Sequence, residues 1–196
     1  MDENNLFGQA TAFAAVAHAG QLRKGTSLPY LLHPMEAATI CASMTDDEEV
    51  LAAAVLHDTL EDTHTTAELL EERFGSRVTE LVRAQTENKR KGESASATWK
   101  TRKRESLEHL RATNDHQARM IYLSDKLSNI RSTARDLERT GERFWERFNQ
   151  RDPLEHAWYY LGVADILEHD FANTPAWQEY HRTVHQVFDR YLANRS

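Results

Sequence analysis

The 196-residue sequence is poor in cysteine, glycine and proline, and each shortage excludes a class of protein. Its one cysteine, Cys41, permits neither an intrachain disulfide nor a Cys-x-x-Cys metal site. Such cysteine usage is typical of a reducing compartment, so we expect a cytoplasmic protein. Seven glycines and four prolines among many Ala, Leu, Glu and Arg residues, without sustained alternation of apolar and polar positions, predict an all-α fold.

Long apolar runs and an excess of positive charge are also missing. No apolar run approaches the length that spans a bilayer, and the N-terminal MDENNLFGQA lacks the features of a signal peptide, so we expect no membrane association or secretion. The formal net charge of −7 argues against nucleic-acid binding, because phosphate backbones are held by summed Lys and Arg contacts. We expect a single domain over residues 1–196, whose oligomeric state the sequence leaves open.

Sequence signals for helix starts and ends divide the chain into a series of helices. The predicted helices are Phe7–Ala19, His33 to about Met44, one over Ala52–Thr66, Thr66–Gly75, one from Ser76, Thr98–Ala112, His116–Glu138, Pro153–His169 and one from Pro175. Capping-box patterns begin at Thr45 and Thr65, and Asp115, Asp152 and Thr174 are predicted N-caps. Loops are predicted over Gln21–Leu32 and Glu87–Ala97.

A cluster of ionisable residues follows an apolar segment in the stretch AAAVLHDTLEDTHTT, residues 52–66. On one continuous helix, His57 would stack with Glu61, and Asp58 with Asp62, one turn apart. Residues 51–56 are nearly all apolar, so the helix is expected to deliver these charges to a buried place, where unpaired charges are costly. We interpret the cluster as a site for a divalent cation.

Two other stretches offer ligands of the same kind. His33 precedes a proline, which places it at the N-terminal boundary of a helix. Asp125 lies on a long predicted helix at the start of a polar stripe. The other members of the stripe, at i+3, i+4 and i+7, are Ser128, Asn129 and Ser132. Together with His57 and Asp58, these residues supply two imidazoles and two carboxylates, a ligand set that suits Mn²⁺, Fe²⁺ or Zn²⁺.

Four segments of the sequence resemble the HD superfamily of metal-dependent phosphohydrolases. They read FAAVAHAGQLRKGTSLPYLLHPMEAA, AAAVLHDTLEDTHTT, ERFGSRVTELV and IYLSDKLSNIRS, and they cover residues 13–135 in family order. They are most similar to the hydrolase domain of bacterial alarmone synthetase/hydrolases and to the stand-alone small alarmone hydrolases. The pair Glu61 and Asp62 makes the resemblance specific, because most HD phosphohydrolases lack it.

The resemblance implies an HD-type helical enzyme of the stringent response. Its reaction would remove pyrophosphate from the 3′ position of guanosine tetra- and pentaphosphate, (p)ppGpp, with one Mn²⁺, leaving GDP or GTP. By matching positions, the implied metal ligands are His33, His57, Asp58 and Asp125. The implied catalytic carboxylates are Glu61 and Asp62, and the implied base and phosphate contacts are Arg23 and Lys24. Asn129 and, more weakly, Ser132 are placed to contact ribose or phosphate.

Several features of the sequence permit more than one interpretation. Lys103, with Lys100, could clamp a pyrophosphate, or both could belong to a solvated basic helix face. The aromatic run 158–160 could stack on a nucleobase, although its apolar neighbours favour a place in the core. His18 is expected to be structural. The substrate could instead be an adenosine 3′-pyrophosphate or another nucleotide, and the chain could be a nucleotide-sensing module without activity.

The chain also departs from the family pattern around the last predicted ligand. At three positions where the family commonly has Ala, Arg and His, this chain has Ser124, Lys126 and Ser128. The sequence after about Gly141 does not align with the family. These departures concern substrate recognition more than the predicted metal ligands, which are all present.

Overall fold

The computed structural model describes residues 5–90 and 92–193, and their regular structure is helical. The helices are α1 (Leu6–Ala17), α2 (Leu32–Cys41), α3 (Glu48–Leu56), α4 (Thr59–Asp62), α5 (Ala67–Gln85), α6 (Ala95–Ala112), α7 (His116–Thr140), α8 (Pro153–Phe171) and α9 (Pro175–Leu192), with a 3₁₀ helix over Gly141–Arg147. Extended pairing within these residues is confined to an isolated antiparallel bridge between Leu22 and Pro29. The predicted all-α fold is confirmed. Among the described helices, none is both long and apolar enough to cross a membrane.

The helices belong to two compact units. The first unit contains the described residues of 1–86 together with 115–125, and the second contains those of 87–114 and 126–196. Helix α7 begins in the first unit and continues into the second. Each unit has its own buried apolar residues.

In the first unit, α3 packs against α1, α2 and α5. Its residues 52–54 are alanines with no exposed surface, and small side chains allow neighbouring helices to approach closely. Val50 and Leu56 are also fully buried. Because α3 is enclosed on several sides, the residues that follow its C-terminus have a fixed position.

Several helix N-termini carry side-chain caps, two of which differ from the sequence prediction. Asp47, instead of Thr45, caps α3 by accepting a hydrogen bond from the backbone N–H of Glu49. The hydroxyl of Thr45 accepts from the N–H of Asp47 and so stabilises the preceding turn. Thr66, instead of Thr65, caps α5. The predicted caps Asp115, Asp152 and Thr174 are confirmed.

In the second unit, α8 packs against both α6 and α9. The 3₁₀ helix, which the sequence did not predict, buries Phe144 and Trp145. Tyr159, at the centre of the aromatic run, is 4% exposed, which confirms the core interpretation for this residue. Trp158, beside it, is half-buried and lies under the ammonium group of Lys100.

Candidate metal centre

The first feature of the site is a break in the helix that was predicted to run through it. Helix α3 ends before His57, and α4 begins only after Asp58, whose ψ angle of −4° departs from the regular helix. Two side chains replace backbone hydrogen bonds at the break. The Nδ1 atom of His57 bonds the carbonyl of Ala54 at 2.8 Å, and the hydroxyl of Thr59 donates to the carbonyl of Leu56 at 2.7 Å. The prediction of one continuous helix was therefore wrong. The side chains of His57 and Thr59 hydrogen-bond the two carbonyls in place of the backbone N–H groups of a regular helix.

Four predicted metal ligands converge beside this break. His33 comes from the first turn of α2, and Asp125 comes from α7. The Nε2 atom of His33 lies 3.4 Å from Asp58 Oδ2 and 3.1 Å from Asp125 Oδ1. The Nε2 atom of His57 lies 3.0 Å and 3.7 Å from the same two oxygens. The two imidazoles and Asp125 are buried.

Three of these four distances fit the geometry of ligands around one small cation, and the fourth, from His57 to Asp125, is slightly longer. Donor atoms about 2.1 Å from a metal, in neighbouring positions of a tetrahedron or octahedron, lie about 3.0 to 3.4 Å from one another. The Nδ1–H of His57 is committed to the carbonyl of Ala54, so Nε2 is the ring nitrogen that faces the carboxylates. That Nε2 atom is buried and makes no hydrogen bond with the described residues. A cation at this point would bind Nε2 in place of a proton and would also bind the carboxylate oxygens.

The charges of the cluster also favour a cation. Burial disfavours a charged His57, but the carboxylates of Asp58 and Asp125 outweigh burial and raise the pKa of His57 to about 9. Burial likewise disfavours an ionised Asp58, yet His57 and then His33 hold the pKa of Asp58 well below its usual range. The cluster thus keeps Asp58 ionised beside two buried imidazoles and attracts positive charge.

Glu61 and Asp62 lie beside this cluster on α4, where both are half-buried. The hydroxyl of Tyr30 donates to Asp58 Oδ2 at 2.6 Å and lies 3.2 Å from Asp62 Oδ2. Burial and the charges of Asp58 and Asp62 raise the pKa of Tyr30, so its hydroxyl keeps the proton that it donates. The sequence analysis missed Tyr30, although its place three residues before His33 could have suggested a role near the ligands.

The predicted substrate contacts Arg23 and Lys24 lie in the loop between α1 and α2. The backbone N–H of Arg23 donates to the carbonyl of Leu28 at 2.8 Å, and the turn between them passes through Gly25 at a φ of +73°. Arg23 is half-buried, with its guanidinium carbon 5.7 Å from the centroid of the Tyr30 ring. Lys24 is exposed. Arg23 therefore lies on the same tyrosine that contacts the carboxylates.

The remaining predicted contacts belong to the second unit. Asn129 and Ser132 are half-buried on α7, where Arg135 donates to the hydroxyl of Ser132 at 3.1 Å. Lys103 pairs with Glu87 at 2.7 Å, and Arg102 pairs with the same carboxylate at 2.8 Å. These side chains are largely buried, so this part of the basic helix face is not simply solvated.

The comparison with known proteins gives one family and a consistent set of relatives. The sequence model of the family described as HD domain matches residues 10–154. The protein named guanosine-3′,5′-bis(diphosphate) 3′-pyrophosphohydrolase MESH1 of Danio rerio is 37% identical over 148 residues, which cover 74% of this chain and 76% of that protein.

Two solved structures have a similar fold. The first is described as a metazoan ortholog of SpoT that hydrolyses ppGpp. It has a TM-score of 0.74 and 29% identity, and the match covers 95% of this chain and 97% of that one. The second, from Listeria monocytogenes EGD-e, has a TM-score of 0.69 and 31% identity, with 84% and 98% covered.

Proposed function

The chain belongs to the HD domain family, and from this membership we propose that it is a guanosine-3′,5′-bis(diphosphate) 3′-pyrophosphohydrolase. It would hydrolyse the 3′-pyrophosphate of guanosine tetra- and pentaphosphate and release pyrophosphate together with GDP or GTP. The Danio rerio relative is named for this activity, and the metazoan structural neighbour is described as hydrolysing ppGpp. The observation that carries the proposal is the convergence of two histidines and two aspartates beside the Glu61 and Asp62 pair.

We propose that the metal ligands are His33, His57, Asp58 and Asp125, and that the cation is one Mn²⁺, with Zn²⁺ or Fe²⁺ as alternatives. Two imidazole nitrogens and two carboxylate oxygens suit any of these ions. When bound, the cation would lower the pKa of a water molecule and neutralise phosphoryl oxygens. The chain holds the ligand atoms in a buried, closely spaced arrangement, which lowers the free-energy cost of bringing them together around a cation.

Glu61 and Asp62 are proposed as the catalytic carboxylates. Their role is to orient the attacking water and to take its proton, which requires an ionised carboxylate within hydrogen-bonding reach. Asp62 shares the Tyr30 hydroxyl with the ligand Asp58, so its carboxylate is held next to the ligand set.

We propose five residues as substrate contacts: Arg23, Lys24, Asn129, Ser132 and Lys103. Arg23 presents a planar guanidinium that can stack on a purine, and Lys24 is exposed and can pair with a phosphate. Asn129 and Ser132 offer hydrogen bonds to ribose or phosphate. Lys103 could pair with a phosphate while Arg102 retains the carboxylate of Glu87.

We further propose that the chain works as one domain over residues 1–196 and acts in the cytoplasm. The single cysteine supports a reducing compartment. The proposed partner is a small nucleotide and not a nucleic acid or a membrane, in keeping with the net charge of −7.

The deciding experiment is a substrate panel with the purified chain and Mn²⁺. Guanosine and adenosine 3′-pyrophosphates, 5′-nucleotides and deoxynucleoside triphosphates are incubated separately, and the products are separated by chromatography. We expect pyrophosphate to leave only from the 3′ position, with a higher kcat/KM for guanosine. A higher value for adenosine would reassign the base. Release of orthophosphate from 5′-nucleotides alone would refute the alarmone activity, and binding without turnover would indicate a sensing module.

A second test concerns the proposed base. Glu61→Gln retains the size of the side chain but cannot accept a proton, so kcat is expected to fall about 100-fold or more while Mn²⁺ content is retained. The matched control is Glu72→Gln on the exposed surface of α5, which should leave kcat unchanged. An unchanged kcat in Glu61→Gln would remove this residue from the reaction.

A further inference from the structure

Tyr30 connects three parts of the candidate site. Its hydroxyl contacts Asp58 and Asp62. Asp58 directly precedes the short helix α4, and Asp62 is the last residue of that helix. Its ring lies 5.9 Å from that of His33 and 5.0 Å from that of His18, measured between centroids. A residue with contacts of this kind can set the orientation of a metal ligand without binding the metal.

The backbone of Asp62 is held by a hydrogen bond that does not involve the Tyr30 hydroxyl. His18 is buried, and its Nδ1 bonds the side-chain oxygen of Gln21 at 2.8 Å. This bond orients the amide, so that Nε2 of Gln21 donates to the backbone carbonyl of Asp62 at 2.8 Å. Helix α4 has four residues, too few for stability of its own, so a tertiary bond at its last residue limits fraying.

Because the backbone of Asp62 is held by Gln21, the contact with Tyr30 acts on its side-chain torsions. One phenol proton faces two carboxylate oxygens, Asp58 Oδ2 and Asp62 Oδ2. The hydrogen bond therefore keeps both oxygens turned toward the same point and reduces the repulsion between the two acids. Outer hydrogen bonds of this kind typically change metal affinity by 10- to 100-fold.

We infer that Tyr30 is a positioning residue, whose hydroxyl aligns the ligand Asp58 with the catalytic carboxylate Asp62, while Gln21 fixes the backbone of Asp62. The kinetic part of this inference rests on the proposed function. The part that concerns metal affinity needs no substrate. Tyr30 is expected to affect both metal binding and turnover, whereas Gln21, which contacts only Asp62 of the two acids, should affect turnover alone.

The test compares Tyr30→Phe and Gln21→Met with two matched controls. Phe retains the ring contacts to His18 and His33 and removes only the hydroxyl. Tyr191→Phe is the control, because Tyr191 also donates to a carboxylate, that of Glu142 at 2.9 Å in the second unit. Gln178→Met is the control for Gln21, because Gln178 also donates to a backbone carbonyl, that of Ala172 at 3.3 Å.

Free Mn²⁺ is titrated by electron paramagnetic resonance, kcat and KM are measured on the guanosine 3′-pyrophosphate, and thermal unfolding is recorded. Tyr30→Phe should weaken Mn²⁺ binding about 10-fold and lower kcat about 10-fold at saturating Mn²⁺. KM should change less than about two-fold, because the hydroxyl contacts carboxylates and not the nucleotide. Gln21→Met should lower kcat with unchanged Mn²⁺ affinity, and both controls should match the parent chain in Mn²⁺ affinity, kcat and KM.

Three results would overturn the inference. They are an unchanged Mn²⁺ affinity in Tyr30→Phe, an equal loss of Mn²⁺ affinity in Tyr191→Phe, and a Tyr30→Phe chain that does not fold, which would make the hydroxyl a requirement for structure. If the parent chain hydrolyses no nucleotide, the proposed function fails, but the Mn²⁺ titration still decides the role of Tyr30. The two failures are therefore distinguishable.

Discussion

At the scale of single residues, metal binding at the candidate site depends on the number of ligand atoms that lie close together. The four donor groups come from three places far apart in the sequence, His33, the pair His57 and Asp58, and Asp125, and removing one group leaves three. The purified chain is expected to hold about one divalent ion. His57→Ala or Asp58→Ala should lose it, because affinity depends on the number and geometry of ligands. Elemental analysis of each variant after gel filtration measures the content.

The chain contains a natural control for this experiment. His169 and Asp170 form a second His-Asp dipeptide near the end of α8, and the side chain of His169 is 93% exposed. His169→Ala and Asp170→Ala should retain the metal, which separates the buried site from weak surface binding. If metal content survives both His57→Ala and Asp58→Ala, the convergent residues serve the fold only.

Residue types predicted four residues that the structure brings together, but not the tyrosine that contacts two of the acids. His33, His57, Asp58 and Asp125 were predicted because imidazoles and carboxylates on apolar helices have few explanations other than a metal. Tyr30 was missed because it lies in an irregular loop, where no periodicity marks which side chains are buried. Its role depends on a contact 28 residues away in the sequence, which follows only from the folded chain.

At the scale of elements, the sequence predicted the helices well and their interruptions less well. Caps and proline positions marked the starts of α8 and α9, because those signals are local. The break at His57 and Asp58 was missed, because the pattern of apolar and polar residues continues across it. The 3₁₀ helix was missed because seven residues are too few to show a period.

One interruption that the sequence did predict gives a further test. Gly75 divides α5, with φ of +83° and ψ of +170°, a backbone conformation that is essentially restricted to glycine. An added Cβ would have no heavy atom within 4 Å, so crowding does not explain the glycine. Gly75→Ala should therefore cost about 1–3 kcal/mol of unfolding free energy through backbone strain alone.

Urea unfolding of Gly75→Ala against Ser76→Ala measures this cost. Ser76 is exposed and follows the kink, so its replacement by alanine should change stability little. Equal midpoints for the two variants would contradict the strain argument. A stabilised Gly75→Ala would show that α5 can straighten, since alanine favours a continuous helix.

At the scale of the whole molecule, stability below neutral pH depends on one histidine, His156, that the fold keeps uncharged. His156 is buried in the second unit among aromatic rings, with Trp99, Trp145 and Phe148 at centroid distances of 5.1, 5.0 and 5.4 Å. Its Nε2 bonds the backbone carbonyl of Gln150 at 2.9 Å. Burial, together with the charge of Lys103, lowers the pKa of His156 below its ordinary value of 6.5.

The direction in which the contribution of His156 to stability changes with pH follows from proton binding. Because the folded-state pKa lies below that of the unfolded chain, the unfolded chain binds more protons between the two values. The contribution of a neutral His156 to stability is complete above about pH 6.5 and is expected to decline as pH falls from there toward the folded-state pKa. Urea midpoints between pH 5 and pH 8 should show a smaller decline for His156→Gln, which cannot titrate, than for the parent chain. His169→Gln should retain the parent's decline, because the side chain of His169 is exposed. Identical pH profiles for the parent and His156→Gln would contradict the assignment.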